Sequence, residues 1–382
     1  MVEFTPKSLM WLWPICTFFV ILGSLYALIA ATLLRQFAQK SAVARSGSSA
    51  VSVFKPLYGM EPELEANLTS FCQQNYGGQA QFIFGVQDQA DAAAEIVERL
   101  RRRFPESDVT FCTNPARHGT NPKISNIINM FSHASHDIIV LADSDIRVHP
   151  LYLDGVTAAL AEPGVGLVTC LYRGLPADGI WSRLAADAMN SHFLPNVLVG
   201  LKLGLAKPCF GSTIALRRDT LAQIGGFEAF ADQLADDYAI GAAVRRLGLR
   251  VAIPPMLVSH ICYDQTFADL VRHELRAART IRSIDPLGYV GLLATNPTPF
   301  ALAAVALGDN LASLSLLLLA LASRMAVSIQ AGRLAVGRGT FWLGPFRDLL
   351  SFAIFLASFL PGSLVWRGRR FELRSDGTLR PS

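Results

Sequence analysis

Five apolar residues, Ile138-Ile139-Val140-Leu141-Ala142, run directly into Asp143-Ser144-Asp145, which sets two carboxylates at positions i and i+2 past the end of a buried strand. Hard oxygen donors at that spacing can hold Mg2+ or Mn2+ against a diphosphate whose own oxygens complete the coordination. An isolated Asp-x-Asp more often caps a helix or lies in a solvated loop, so the apolar strand before it is what gives this one weight. Phe82-Ile83-Phe84-Gly85-Val86-Gln87-Asp88 repeats the arrangement, and Asp88 can accept a hydrogen bond from the uracil or ribose of a nucleotide, or cap the next turn. Gly119-Thr120-Asn121-Pro122-Lys123 marks a loop-to-helix junction; Asn121 and Lys123 are candidates for meeting phosphate there, against a plain helix start with Pro at its first position. Asp236-Asp237 opens a helix, where one acid can act as general base toward an acceptor hydroxyl and both complement the helix dipole. Arg272, Arg276 and Arg279 recur at helical spacing, on a face suited to a leaving diphosphate or to anionic lipid headgroups. His192 reads by itself as a structural histidine.

These groups need rigid mounts. Short β-rich runs at residues 51–54, 81–86, 108–112, 137–142, 165–171 and 250–253 alternate with amphipathic stretches at 61–74, 90–103 and 123–134. That alternation implies an α/β domain with a mainly parallel sheet, whose ligands bind at the carboxyl ends of the strands. Hydrophobic residues make up 51% of the 382 residues and charged ones only 17%, which is too apolar for an ordinary soluble enzyme. Residues 9–34 carry no charge and are long enough to span a bilayer as a helix; Ala42-Val43-Ala44 imitates a signal-peptide cleavage site, but Arg35 and Lys40 intervene. Beyond Pro286 the apolar runs 299–307, 311–322 and 349–365 return, read as spans, interfacial helices or a re-entrant pair. Basic residues at Arg35, Lys40 and Arg45, at Arg324, Arg333 and Arg338, and at Arg367, Arg369, Arg370 and Arg374 place the flanks, and the domain behind them, in the cytoplasm by the positive-inside rule. The expected division is an anchor with its basic flank at 1–45, a catalytic domain at 46–285, membrane or interfacial helices at 286–366 and a basic tail at 367–382. A net charge of +4, concentrated beside apolar segments, gives no reason to invoke nucleic acid. Six scattered cysteines form no CxxC pair, so neither a zinc site nor a disulfide framework is expected.

Taken in order, Lys55-Pro56-Leu57, Val86-Gln87-Asp88, Asn121-Pro122-Lys123, Asp143-Ser144-Asp145-Ile146-Arg147, Ser191-His192, Asp236-Asp237-Tyr238 and the Arg276 region resemble the ceramide glucosyltransferase-like branch of the GT-A glycosyltransferases. The wording of Cys209-Phe210-Gly211-Ser212-Thr213, of the segment 231–241 and of His273-Glu274-Leu275-Arg276 is most similar to bacterial hopanoid-biosynthesis-associated members. The resemblance implies a GT-A fold and an inverting transfer from a UDP-sugar, N-acetylglucosamine above all, to a lipid acceptor, a hopanoid polyol, at the bacterial inner membrane. It implies Asp88 as the nucleoside ligand, Asp143 and Asp145 as the pair holding a divalent cation and the diphosphate, and Asp237 as the base. It further implies His192 at the acceptor and Arg276 facing the leaving UDP. On that assignment Asp236→Asn is expected to cost only up to about 1 kcal/mol of helix-terminus electrostatics. Ala277 stands where this branch carries Trp, which removes a large stacking surface. The rival readings are a ceramide glucosyltransferase using UDP-glucose and a non-catalytic membrane scaffold that retains the fold.

Overall fold

The structure, a computed structural model, describes residues 11–39, 49–308, 310–335, 341–361, 364–366, 369–373 and 379–381. Lys40, Arg45, the start of the linker, Asp309, Arg338, Arg367 and Arg374 lie outside the described residues. Two units emerge: a helical one within 1–40, 174–206 and 264–362, and a sheet unit within 41–173, 207–263 and 363–382.

Helix α1 (Leu12–Gln39) leads into β1 (Val51–Pro56), α2 (Leu64–Cys72), β2 (Ala80–Val86), α3 (Ala93–Arg103), β3 (Asp108–Thr113), α4 (Pro122–Phe131) and β4 (Ile138–Leu141). Then follow β5 (Ile146–Arg147), α5 (Tyr152–Leu160), β6 (Val165–Val168), β7 (Leu171–Pro176), α6 (Gly179–Ala188), a π-helical turn (Met189–Phe193) and α7 (Leu194–Lys202). The chain continues through β8 (Ile214–Arg217), α8 (Arg218–Gln223), α9 (Asp236–Arg246), β9 (Arg250–Ala252), β10 (Leu257–Cys262) and α10 (Phe267–Ile284). Last come α11 (Pro286–Gly291), α12 (Pro297–Leu307), α13 (Leu311–Leu334), α14 (Gly344–Ala357), and the hairpin strands β11 (Leu364–Trp366), β12 (Arg369–Leu373) and β13 (Leu379–Pro381).

In the sheet unit, seven strands lie in the order β3-β2-β1-β4-β8-β6-β9. All their pairings are parallel except those of β8, which runs antiparallel to both β4 and β6. The expected mainly parallel α/β sheet is therefore present, and β1 and β4 are buried along their whole length, as strands covered on both faces must be. Chain order reverses between β1 and β4, which opens a crevice at their carboxyl ends. The run 165–171 reads as one strand in sequence but is two: β6 stays in the large sheet, whereas β7 joins β5 and β10 in a second, three-stranded sheet. There β10 pairs antiparallel with β5, His260 facing Ile146 and Ser259 facing Arg147. Strands β5, β8 and β10 carry no alternation strong enough to be seen in the sequence.

In the helical unit, α1 and α13 are each long and apolar enough to cross a membrane. The segment 286–295 and α12 pass the same test jointly, with a 55° bend between them. Asn310 caps α13, accepting from the Ser313 N–H at 2.9 Å, so the apolar run beginning at 311 is a helix of its own rather than a continuation of α12. Helix α14 has 14 residues, about 21 Å at 1.5 Å each, which is too short to cross a hydrocarbon core. Against α1, Phe19 stacks on Phe300 at 4.6 Å and the Trp13 indole donates to Ser313 at 2.9 Å. At Gly23 an added Cβ would sit 3.0 Å from the Ala294 carbonyl and from Pro297, so glycine there permits the close helix approach.

Candidate active site

Five of the residues singled out in the sequence, Asn121, Lys123, Asp143, Asp236 and Asp237, meet in the sheet unit. Asn121 caps α4, its side-chain oxygen accepting from the N–H groups of Lys123 (2.9 Å) and Ile124 (3.1 Å), while its amide nitrogen donates to the Gln233 carbonyl at 2.8 Å. The cap aims Lys123 from the first turn of α4 at two acids: its Nζ lies 2.8 Å from Asp143 Oδ1 and 3.0 Å from Asp236 Oδ2. Asp143 and Asp237 are tied through one residue, since Gly211 N–H donates to Asp237 Oδ2 at 2.9 Å and Gly211 O accepts from Asp143 N–H at 3.1 Å. A Cβ at Gly211 would collide with Asp143 Oδ2 and come within 3.1 Å of Lys123 Nζ, so any other residue would displace these two side chains from their present contact. Burial and then Asp236 push Asp237 up to about 6, against the pull of Lys123. Burial likewise raises Asp143, opposed by Lys123. Burial alone would lower Lys123, but Asp143, Asp236 and Asp237 hold it firmly charged.

Asp236 departs from its expected minor part. It is only 6% exposed and holds a buried ion pair with Lys123. Removing Asp236 takes away one of the two acids that meet Lys123, a larger loss than helix-terminus electrostatics alone. Its neighbour Asp237 is the acid bonded to Gly211, so the two carboxylates point to different partners, as a step of about 100° per helical residue requires.

Asp145 meets His260, whose Nε2 lies 3.1 Å from Asp145 Oδ2. Burial lowers this imidazole, but the Asp145 carboxylate outweighs it and holds it well above the usual histidine range, so it is a cation. Tyr172 lies edge-on to Phe210 at 5.5 Å and tilted against His260 at 5.8 Å; burial, then Asp237 and Asp145, keep its phenol neutral. Lys55 at the end of β1 is fully buried, and its Nζ donates to the main-chain oxygens of Asp143 and Ile146. Desolvation lowers its pKa to about 7 in spite of Asp145 and Asp143. Asp88 does not join this cluster through any described bond. It is exposed at the end of β2, where its side chain accepts from Ala90 N–H at 3.0 Å and closes a turn.

His192 and Arg276 belong to the helical unit. His192 sits in the π-helical turn, a local widening that often accompanies functional positions. Its Nε2 is 2.8 Å from Arg324 Nη2 and 3.1 Å from Asp348 Oδ1. Burial and then Arg324 push the ring down to about 4, so it is neutral, accepts from Arg324, and shares that guanidinium with Asp348. Thr298 donates to the same carboxylate at 2.7 Å. Arg276 lies half-buried along α10, one helical turn from Arg272, which pairs with Asp269 at 2.9 Å. Arg279 instead donates to the Leu360 carbonyl at 3.3 Å, so the three arginines do not present a common free face. Ala277 is exposed.

Sequence reasoning assigned no role to Lys55, Gly211, Tyr172 or His260. A lysine inside the apolar run Val51-Ser52-Val53-Phe54-Lys55 is a usable signal, since a buried strand tolerates a cation only where something binds it. No local signal marks His260, because the pairing of β10 with the two-residue β5 is what carries it to Asp145.

Whether a divalent cation suits this site can be judged from the donors. Among the described residues no three His, Cys, Asp or Glu side chains gather to hold a metal by themselves. Asp143 and Asp145 are hard donors already matched by Lys123 and His260, and the missing side chain at Gly211 leaves room for the Asp143 carboxylate and the Lys123 ammonium. That set fits Mg2+ or Mn2+ taking its remaining oxygens from a diphosphate.

Comparison with known proteins bears on the family and the fold. The family model described as Glycosyl transferase family 21 matches residues 15–379. Ceramide glucosyltransferase 1 of Caenorhabditis elegans is 24% identical over 351 residues, covering 87% of this chain and 73% of the relative. Ceramide glucosyltransferase of Candida albicans is 31% identical over 107 residues, 25% of this chain and 20% of the relative. Among solved structures, a mannosyltransferase from Pyrobaculum calidifontis in complex with GDP-Man and Mn2+ superposes with a TM-score of 0.51 at 20% identity, covering 90% of this chain and 98% of that one; the likeness is one of GT-A-type fold.

Proposed function

This chain belongs to glycosyl transferase family 21, and from that premise we propose that it is an inverting, UDP-sugar-dependent transferase placing N-acetylglucosamine on the hydroxyl of a hopanoid polyol at the cytoplasmic face of the inner membrane. The observation that carries the transferase part of the reading is the cluster Lys123, Asp143, Gly211, Asp236 and Asp237 at the carboxyl ends of the strands, while the sugar and the hopanoid acceptor rest on the family resemblance. Asp237 takes the acceptor proton as the new C–O bond forms. Its position at the start of α9 and its bonds from Gly211 and Tyr238 N–H fix the carboxylate for that transfer. Lys123 supplies positive charge to the diphosphate from the capped turn of α4. A cation held by Asp143 and Asp145 would offset the charge that develops on departing UDP. Roles for Asp88 at the nucleoside, Arg276 at the leaving group and His192 at the acceptor rest on the family resemblance, as does the division into an anchor at 1–45, a catalytic domain at 46–285, membrane or interfacial helices at 286–366 and a tail at 367–382.

Glucosyl transfer to ceramide is the second reading, supported by the names of the relatives. Parallel assays of the membrane-embedded chain with both lipids and with UDP-glucose and UDP-N-acetylglucosamine separate the two. Dominant glucosylceramide would overturn the hopanoid reading, and no UDP release with any pair would overturn both.

A further inference from the structure

The turn that carries Asp143 and Asp145 has every main-chain carbonyl from 143 to 146 accounted for, and two of the donors are buried side chains. Lys55 Nζ, wholly buried and 4.1 Å from the centre of the Phe71 ring, donates to Asp143 O and, at 3.4 Å, to Ile146 O. Asn67 on α2, also wholly buried, donates through Nδ2 to Ser144 O at 3.3 Å. Asp145 O accepts from Ile261 N–H of β10 at 2.9 Å, and Asp143 O also closes the turn with Ile146 N–H at 3.2 Å. A buried ammonium is costly, and an apolar residue would fill the space under Phe71 without that penalty. The bonds the cation makes are therefore the reason for its presence. They go to the backbone of the turn and leave the side-chain oxygens of Asp143 and Asp145 to Lys123 and His260.

Resting on the transferase reading above, we propose that Lys55 and Asn67 are positioning residues that lock the Asp143–Ile146 turn and thereby set how tightly its two carboxylates bind a divalent cation together with a nucleoside diphosphate. They touch neither ligand. Their effect is orientation: once these donors are lost, the turn relaxes and the two carboxylates are no longer held in their present directions. Groups that orient metal ligands typically account for 10–100-fold in metal affinity.

The test uses the full chain in detergent, with free Mn2+ counted by electron paramagnetic resonance at saturating UDP, and thermal melting recorded alongside. Lys55→Met and Asn67→Ala are each expected to weaken Mn2+ binding by roughly 10–100-fold. A purely structural role would lower the melting temperature and the number of sites filled while leaving the affinity of the folded fraction unchanged. Parental affinity in a folded Lys55→Met variant overturns the proposal, and if that variant does not fold, parental affinity in Asn67→Ala does the same. Absence of Mn2+ binding with UDP by the parent chain overturns the metal role of Asp143 and Asp145 and the proposal with it, absence of UDP release in the transfer assay overturns the transferase reading, and parental affinity in both variants overturns only the positioning role.

Discussion

At the level of single residues, the pair Asp236-Asp237 shows how two identical side chains acquire different work. Asp237 is raised to about 6 by burial and by Asp236, which makes it a stronger base than an exposed carboxylate and still deprotonated at neutral pH. Asp237→Asn preserves its shape but cannot accept a proton, so turnover at saturating donor should fall roughly 10²–10⁴-fold with UDP binding retained. In the parent, turnover should decline as pH falls through about 6, because the base is then protonated; a flat profile from pH 5 to 7 would contradict the assignment. Asp236→Asn should act differently, leaving Lys123 with Asp143 as its remaining acid and raising the KM for UDP-sugar more than it lowers kcat. Asp145→Ala should abolish metal-dependent UDP binding while the chain still folds, and EDTA should silence the parent; an unchanged rate in EDTA would remove Asp143 and Asp145 from the metal role.

At the scale of elements, the helical unit contains a polar knot where helices would otherwise present only apolar side chains. Arg324 of α13 meets Asp348 of α14 and His192 of the π-helical turn, and Arg347 of α14 pairs with Glu274 of α10 at 2.7 Å. An arginine on a helix apolar enough to span a bilayer needs such partners. Asp348→Asn should therefore destabilise the chain by about 3–5 kcal/mol, read as a lower melting temperature in detergent. His192 adds a pH signature. Burial, then Arg324 with Arg347, depress its folded pKa from 6.5 to about 4, whereas Asp348 raises it; the ring still takes up a proton on unfolding anywhere between those values. The unfolded state binds more protons in that window, so stability should fall, by a few kcal/mol at most, as pH drops from about 6.5 to 4. His192→Gln should flatten that part of the slope, and an unaltered slope would show that the ring titrates normally.

For the molecule as a whole, two helices able to cross a membrane and a third, bent candidate accompany a sheet unit bearing the acids. The basic residues after α1 predict that this sheet unit faces the cytoplasm, where nucleotide sugars are made. A periplasm-active reporter fused near residue 150 should stay silent and a cytoplasm-active one should score. The opposite pattern would invert the proposed orientation.

Much of this was readable without coordinates. Continuous apolar runs report doubly covered strands, so 138–142 already marked a buried strand that ends at Asp143 and Asp145. An uncharged stretch long enough to cross a bilayer marked α1, and Asn121-Pro122 announced the start of α4, since these signals are local. The ordered motifs supplied the family. What required the tertiary structure is everything set by pairing between distant segments. A two-residue strand, β5, has no period to detect, yet its register with β10 brings His260 to Asp145. Similarly, nothing local tells Asp236 from Asp237; only the approach of Lys123 from α4 and of the Gly211 peptide gives one acid an ion pair and the other a backbone donor. Nor could spacing show that Lys55 reaches beneath the carboxylate turn, because hydrogen bonds between β1 and β4 place that lysine there.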